Sequence, residues 1–208
     1  MKVDTRGIIA ALALALVIVV LTAPRPLVFQ QAYVGVIGCS FSRDVELSYK
    51  VVSSRDVTWS AAKASASLDR WAKPTAWGTF DANVAQFGQP TAVWWPLCIL
   101  MPDVQTLDAA WAKFLNAHTL LRARVPTAPL YVTPTMGVQP DCATDNLPLQ
   151  IQLVDKATLE VNPDTGQPYA IRSLPDIPPA SAPNADGCHF NPVASTNVGQ
   201  AAVEFLDQ

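Results

Sequence analysis

An aspartate, a histidine and an asparagine stand close together near the end of the chain, in Asp186-Gly187-Cys188-His189-Phe190-Asn191. A serine hydroxyl is a weak nucleophile. It needs a base to take its proton, and the base needs a carboxylate to fix its tautomer. Asp186 and His189, three residues apart in one loop, have the types and spacing to be that carboxylate and that base. The other histidine, His118, falls on the apolar face of a helical pattern and reads as a core or interface residue. The nucleophile must come from far upstream. Gly38-Cys39-Ser40 closes the first apolar strand pattern, which sets the Ser40 hydroxyl at a strand-to-helix turn. Helix amides at such a turn can receive an oxyanion. Taken alone, Ser40 would serve as an ordinary helix cap and Asp186 as a turn residue. Their order along the chain with His189 favours a nucleophile, a base and an orienting acid.

The elements that must position these residues follow from hydrophobic period. Tyr33–Gly38 (YVGVIG) is a short buried strand. Ser42 is placed to cap a helix from Arg43 to about Val52, with Arg43 and Asp44 as its solvated start. In Trp59–Trp71 the second half reads as helix, with Leu68 and Trp71 inward. Thr91–Cys98 (TAVWWPLC) is a strand expected to end at Pro96, because proline cannot donate to a ladder. Thr106–Arg124 carries the clearest helical repeat: Leu107, Ala110, Trp111, Phe114, Leu115, His118 and Leu121. Ala128–Thr133 is another strand, Leu149–Leu159 a helix, Asn162–Gly166 a turn, Ile171–Pro183 a proline-rich loop and Val198–Leu206 a closing helix. The six tryptophans read as core, with Trp94 or Trp95 as possible lining of a substrate cleft, and Met136-Gly137 as rim. Short apolar strands alternating with helices predict βαβ units on a parallel sheet. Ligands of such sheets bind at the carboxyl ends of the strands, where Ser40, Cys98, the loop after Thr133 and the His189 loop would gather.

On these motifs the chain resembles the SGNH (GDSL-type) hydrolases. Their first motif is Gly-Asp-Ser after strand one, and their last is Asp-x-x-His, often Asp-Gly-x-His-x-Asn, before the final helix. Here these read Gly38-Cys39-Ser40 and Asp186-Gly187-Cys188-His189-Phe190-Asn191. The resemblance spans about residues 33–206. It implies an α/β fold: a three-layer α/β/α sandwich on a central, mostly parallel sheet in the flavodoxin-like order 2-1-3-4-5. It also implies Ser40 as nucleophile, His189 as base and Asp186 as orienting carboxylate, with no metal or organic cofactor. Three departures stand out. Cys39 replaces the aspartate of the first motif. The second motif's oxyanion glycine has no clear counterpart, with Ser65-Ala66-Ser67 near its place and Gly78 a poorer candidate. Trp94-Trp95-Pro96-Leu97-Cys98 occupies the place of the third motif, Gly-x-Asn-Asp, without an asparagine. Losing one such donor typically costs about two to three orders of magnitude in rate. In the implied strand order, strands one and three are neighbours, so Cys39 and Cys98 would pair at adjacent strand ends. Cys142 would then clip the next loop to Cys188.

Composition limits the rest. The chain has 208 residues, 50% hydrophobic and 15% charged, with a net charge of −3, so it offers no basic field for nucleic acid. Gly7–Ala23 is uninterrupted apolar, preceded by Lys2 and Arg6. It reads as a signal peptide or a signal-anchor helix, about 17 residues long, near the short limit for a span. The poor cleavage site at Leu21-Thr22-Ala23, followed by Pro24, favours the anchor. Residues 1–28 are expected to form an N-terminal hydrophobic helix, a signal peptide or signal anchor, and the resemblance implies that 29–208 are an SGNH-hydrolase-like domain, expected outside the cytoplasm, membrane-anchored or secreted. Four cysteines with no CxxC spacing suit disulfides better than zinc. The expected activity is that of a serine esterase on short acyl esters. Its substrate would be a small ester, an acylated glycan or a lipid, with hydrolysis or transfer to a sugar acceptor as the reaction. The alternative is a catalytically impaired binding or scaffold domain on the same fold.

Overall fold

A computed structural model describes residues 33–53, 57–64, 66–100, 104–134, 146–172 and 192–206. The N-terminal apolar segment lies outside the described residues. Among those described, no helix is long and apolar enough to cross a membrane.

Five strands form one sheet in the order β2-β1-β3-β4-β5, and every pair is parallel. The strands are β1 (Val34–Val36), β2 (Thr58–Ser60), β3 (Ala92–Leu97), β4 (Leu130–Pro134) and β5 (Ile171–Arg172). The helices are α1 (Ser40–Val52), α2 (Leu68–Trp71), α3 (Gly78–Phe87), α4 (Leu107–Arg122), α5 (Leu147–Leu159) and α6 (Pro192–Leu206). The α/β class, the parallel pairing and the 2-1-3-4-5 order all match the expectation.

Side chains alternate across the sheet and split the core in two. Val36, Trp94 and Tyr131 point to one face, where Phe41, Val45 and Tyr49 of α1 meet Val198 and Ala202 of α6. Val93, Trp95, Leu97, Leu130 and Val132 point to the other, against Phe80 of α3, Phe114 and Leu121 of α4, and Leu153 and Val154 of α5. Covering on both faces is what a parallel sheet requires, and it explains near-continuous apolar strands such as AVWWPL. The tryptophans serve this core. Trp71 packs edge-on to Trp77, Trp77 to Phe80 and Trp59 to Phe80. Trp94 and Trp95 are 1% and 0% exposed, so neither lines an open cleft.

Four local expectations change. Strand β3 runs through Pro96 to Leu97. The Ile37 amide donates to the Trp94 carbonyl and the Val93 amide to the Pro129 carbonyl, so even-numbered residues of β3 face β1. Pro96 therefore turns its nitrogen toward β1 at a level where β1 has ended, and no ladder bond is lost. Helix α1 begins at Ser40 rather than after Ser42, and Ser42 is buried. Helix α6 begins at Pro192, six residues before Val198. Ile171-Arg172 pairs with β4 as an edge strand instead of opening a loop. Strand β2 and helix α3 add elements that hydrophobic period alone misses. The turn at Asn162–Gly166 forms as expected, with Gly166 at φ +67° and the Asn162 carbonyl accepting from the Gly166 amide.

Helices α1 and α6 pack so closely at Gly199 that a Cβ there would stand 2.3 Å from the Ser48 carbonyl oxygen. Gly199→Ala is expected to force the two helices apart and lower stability by about 1–3 kcal/mol. A urea unfolding midpoint equal to the wild type would contradict this packing.

Candidate functional site at the carboxyl end of the sheet

Strand β1 lies inside the sheet between β2 and β3, and the chain leaving it turns sharply. Gly38 adopts φ +132°, a conformation that L side chains rarely take. A Cβ there would also stand 2.0 Å from Ser42 Oγ and 2.8 Å from the Pro96 carbonyl oxygen, so two independent reasons require glycine. Four ties hold the turn. The Lys63 amide donates to the Gly38 carbonyl at 3.2 Å. The Trp71 indole Nε1 donates to the same carbonyl at 3.3 Å. Ser42 Oγ donates to the Pro96 carbonyl at 3.3 Å, across 54 residues of sequence. Cys39 is bonded to Cys98 at the end of β3, with Cα atoms 6.0 Å apart.

Ser40 is the first residue of α1, half-buried, directly after the disulfide-bonded Cys39. Cys39 is the N-cap and offers no side-chain cap. The partial positive charge of the helix start therefore falls on backbone amides beside Ser40, the arrangement that stabilises a developing negative charge. The hydroxyl expected to cap, that of Ser42, is spent across the sheet. Nearby, the Cys98 carbonyl accepts from the Leu68 amide at 2.8 Å and the Ile99 carbonyl from the Asn146 amide at 3.2 Å. Ser40, Cys98 and the end of β4 thus lie at the carboxyl end of the sheet.

The structure joins Cys39 to Cys98 as the strand order implied. Asp186, His189, Cys142, Cys188 and Met136-Gly137 lie outside the described residues. On the oxyanion side, the Ala66 amide donates to the Lys63 carbonyl at 3.1 Å and is already used. Gly78 begins helix α3, is exposed, and stands in no loop beside Ser40. Cys98, the last residue of the stretch that stands in the third motif's place, is consumed by the disulfide. Among the described residues, no group of three His, Cys, Asp or Glu side chains could hold a metal ion.

His118 belongs elsewhere. It is 5% exposed on α4, and its Nε2 accepts from Arg122 Nε at 3.2 Å. Arg122 also donates to the carbonyls of Val125 and Ala128. His118, Arg122, Ala128 and Tyr169 line a cavity of about 740 Å³ beside the start of β4, at the amino end of the sheet, opposite to the end that carries Ser40. Burial, helped by the neighbouring Arg122 cation, holds the His118 pKa down at about 4, while a backbone hydrogen bond at Tyr169 opposes this more weakly. His118 is thus neutral at physiological pH and acts as a core acceptor, as its place on the apolar helix face suggested.

No protein-family model matches the chain, and no curated protein matches it.

Two outcomes follow from this geometry. Since the folded pKa of His118 lies below its ordinary 6.5, the unfolded chain binds the proton first. Its contribution is absent above that pH. As the pH falls from about 6.5 toward 4, it destabilises the fold, by an amount on the order of 3 kcal/mol. The difference in urea stability between pH 7 and pH 4 should shrink in His118→Gln, and an unchanged difference would contradict the assignment. Removing the bridge in Cys39→Ser/Cys98→Ser should cost about 2–4 kcal/mol, since it closes a loop with a sequence separation of 59. Equal thermal melting of the two proteins would show that the bridge carries no stability.

Proposed function

We propose that the protein is a serine ester hydrolase of the SGNH type, acting outside the cytoplasm on short acyl esters. The observation that carries this reading is the placement of Ser40. It stands in the first turn of a helix, immediately past the interior strand β1, on a positive-φ glycine turn tied to β3. That placement is what a nucleophile at a strand-to-helix turn requires. Further support comes from α6, which begins three residues after His189 and packs along α1, the helix that Ser40 opens. Helices on both faces of a 2-1-3-4-5 sheet support the three-layer sandwich that the resemblance implies.

In this reading, Ser40 Oγ attacks the ester carbonyl while His189 takes its proton. The tetrahedral oxyanion is received by the Ser40 amide at the start of α1. His189 returns the proton to the leaving alcohol, and Asp186 holds the imidazole in the tautomer that lets it do both. Water, or a sugar hydroxyl in the transfer variant, then attacks the acyl-enzyme along the same path in reverse. The buried disulfide suits an oxidising compartment.

A second reading, a catalytically impaired scaffold on the same fold, draws on the shortage of oxyanion donors: the Ala66 amide is engaged, and the stretch Trp94–Cys98 has no asparagine and ends in a disulfide-bonded cysteine. Turnover separates the two. The esterase reading expects slow hydrolysis of p-nitrophenyl acetate that falls by at least about a thousandfold in Ser40→Ala and in His189→Ala. Equal turnover by wild type and Ser40→Ala would overturn it.

A further inference from the structure

The cavity beside the start of β4 has a volume of about 740 Å³, within the range of small-molecule sites. It opens at the amino end of the sheet, and no step of the Ser40 chemistry uses it. Its walls are mainly apolar: Leu115 from α4, Pro126 and Pro129 from the loop before β4, Leu130, and Ile171 of β5. One cation is held among them. Arg122, in the last turn of α4, is half-buried and lines the cavity.

The guanidinium is fixed by neutral partners that line or adjoin this cavity. Its Nε donates to His118 Nε2 at 3.2 Å, and its Nη1 donates to the Val125 carbonyl at 3.4 Å and to the Ala128 carbonyl. His118 is held in turn, stacked on Phe114 and edge-on to Tyr169 at 5.1 Å. These bonds use three of the five N–H donors of an arginine. The two on Nη2 have no acceptor among the described residues, and Nη2 is not sealed from solvent. No carboxylate answers the charge either. Among the described residues Arg122 is in no ion pair, whereas Arg124 is paired to Asp81, Arg172 to Asp155 and Lys113 to Asp69. Asp164, the carboxylate of the lining, is exposed on the Asn162–Gly166 turn, away from any ion pair among those residues. Burial lowers the Arg122 pKa below its ordinary value. A half-buried cation with neutral partners has lost hydration that an anion in the cavity would replace.

We infer that this cavity binds a small organic monocarboxylate with an apolar body, its carboxylate on Arg122 Nη2. One cation with one free nitrogen suits a single negative charge. A phosphate dianion would need further donors, and Asp164 would repel it more strongly. The proline and leucine walls take the apolar body. The rim is already built, with β5 paired to β4 and the Gly166 amide on the Asn162 carbonyl, so binding orders little of the chain. The inference does not depend on the esterase reading of Ser40.

Calorimetric titration of the full chain with 4-phenylbutanoate, its neutral isostere 4-phenylbutanamide and 3-phenylpropyl phosphate tests this. The carboxylate is expected to bind with a Kd of about 1 mM or tighter, and at least about tenfold more tightly than the amide. Arg122→Gln should bring that preference close to one. Because this change also breaks the bonds to Val125 and Ala128, Thr119→Trp serves as a second variant. Thr119 is exposed on α4 and lines the cavity, and its hydroxyl donates to the Leu115 carbonyl of its own helix. A bulky ring there occupies the cavity and leaves Arg122 in place. It should weaken carboxylate binding at least about tenfold without lowering Tm. Equal binding of carboxylate and amide, tighter binding of the phosphate, no saturable binding below about 10 mM, or carboxylate binding untouched by Thr119→Trp would overturn the site.

Discussion

The geometry of this end of the molecule depends on how the turn between β1 and α1 is fastened. A helix that opens on Cys39 has no oxygen to cap its first amides, a deficit of about 1 kcal/mol relative to Ser, Thr or Asp. The fastening comes instead from tertiary ties. The disulfide fixes the N-cap to β3, Ser42 reaches the Pro96 carbonyl, and the Gly38 carbonyl gathers two donors from the β2 loop and α2. These ties bring segments far apart in sequence to one point. They also leave the helix start uncapped by any side chain, which is the state an oxyanion site needs. Under the proposed esterase reading, stability and chemistry would draw on the same turn.

The two ends of the sheet divide the polar work of the molecule. At the amino end, Arg122 closes the last turn of α4 through its carbonyl bonds and His118, and burial keeps that histidine neutral. This cluster is a packing device beside a cavity. At the carboxyl end, the turn is held by bonds that leave Ser40 half-buried at the start of α1. Of the two histidines, only His189 belongs to a sequence motif that reads as a base.

Much of this was legible in the residues themselves. The runs YVGVIG, AVWWPL and APLYVT are apolar enough to be buried strands in any parallel sheet, and the long repeat from Leu107 to Leu121 could only be a helix. The Cys39–Cys98 bond followed once the strand order was assumed. What could not be read were elements whose reasons are not local. Thr58–Ser60 and Ile171-Arg172 are three and two residues long, too short to show a period. Helix α3 opens on glycine and buries only Phe80 fully, so its pattern is faint. Ser42 has the chemistry of a cap, yet its hydroxyl goes to a carbonyl 54 residues away. Pro96 looks like a strand end until the length of the neighbouring strand is known. The candidate site was legible in part: Ser40 stands at the expected turn, whereas Asp186 and His189 lie outside the described residues.

The account turns on whether Ser40 is an activated nucleophile. Labelling the wild-type chain with a fluorophosphonate and locating the adduct by peptide mass spectrometry tests this most directly. The account predicts stoichiometric modification on Ser40, lost in Ser40→Ala and strongly slowed in His189→Ala. A folded chain that takes no label, or that is labelled on another residue at the same rate in Ser40→Ala, would contradict it.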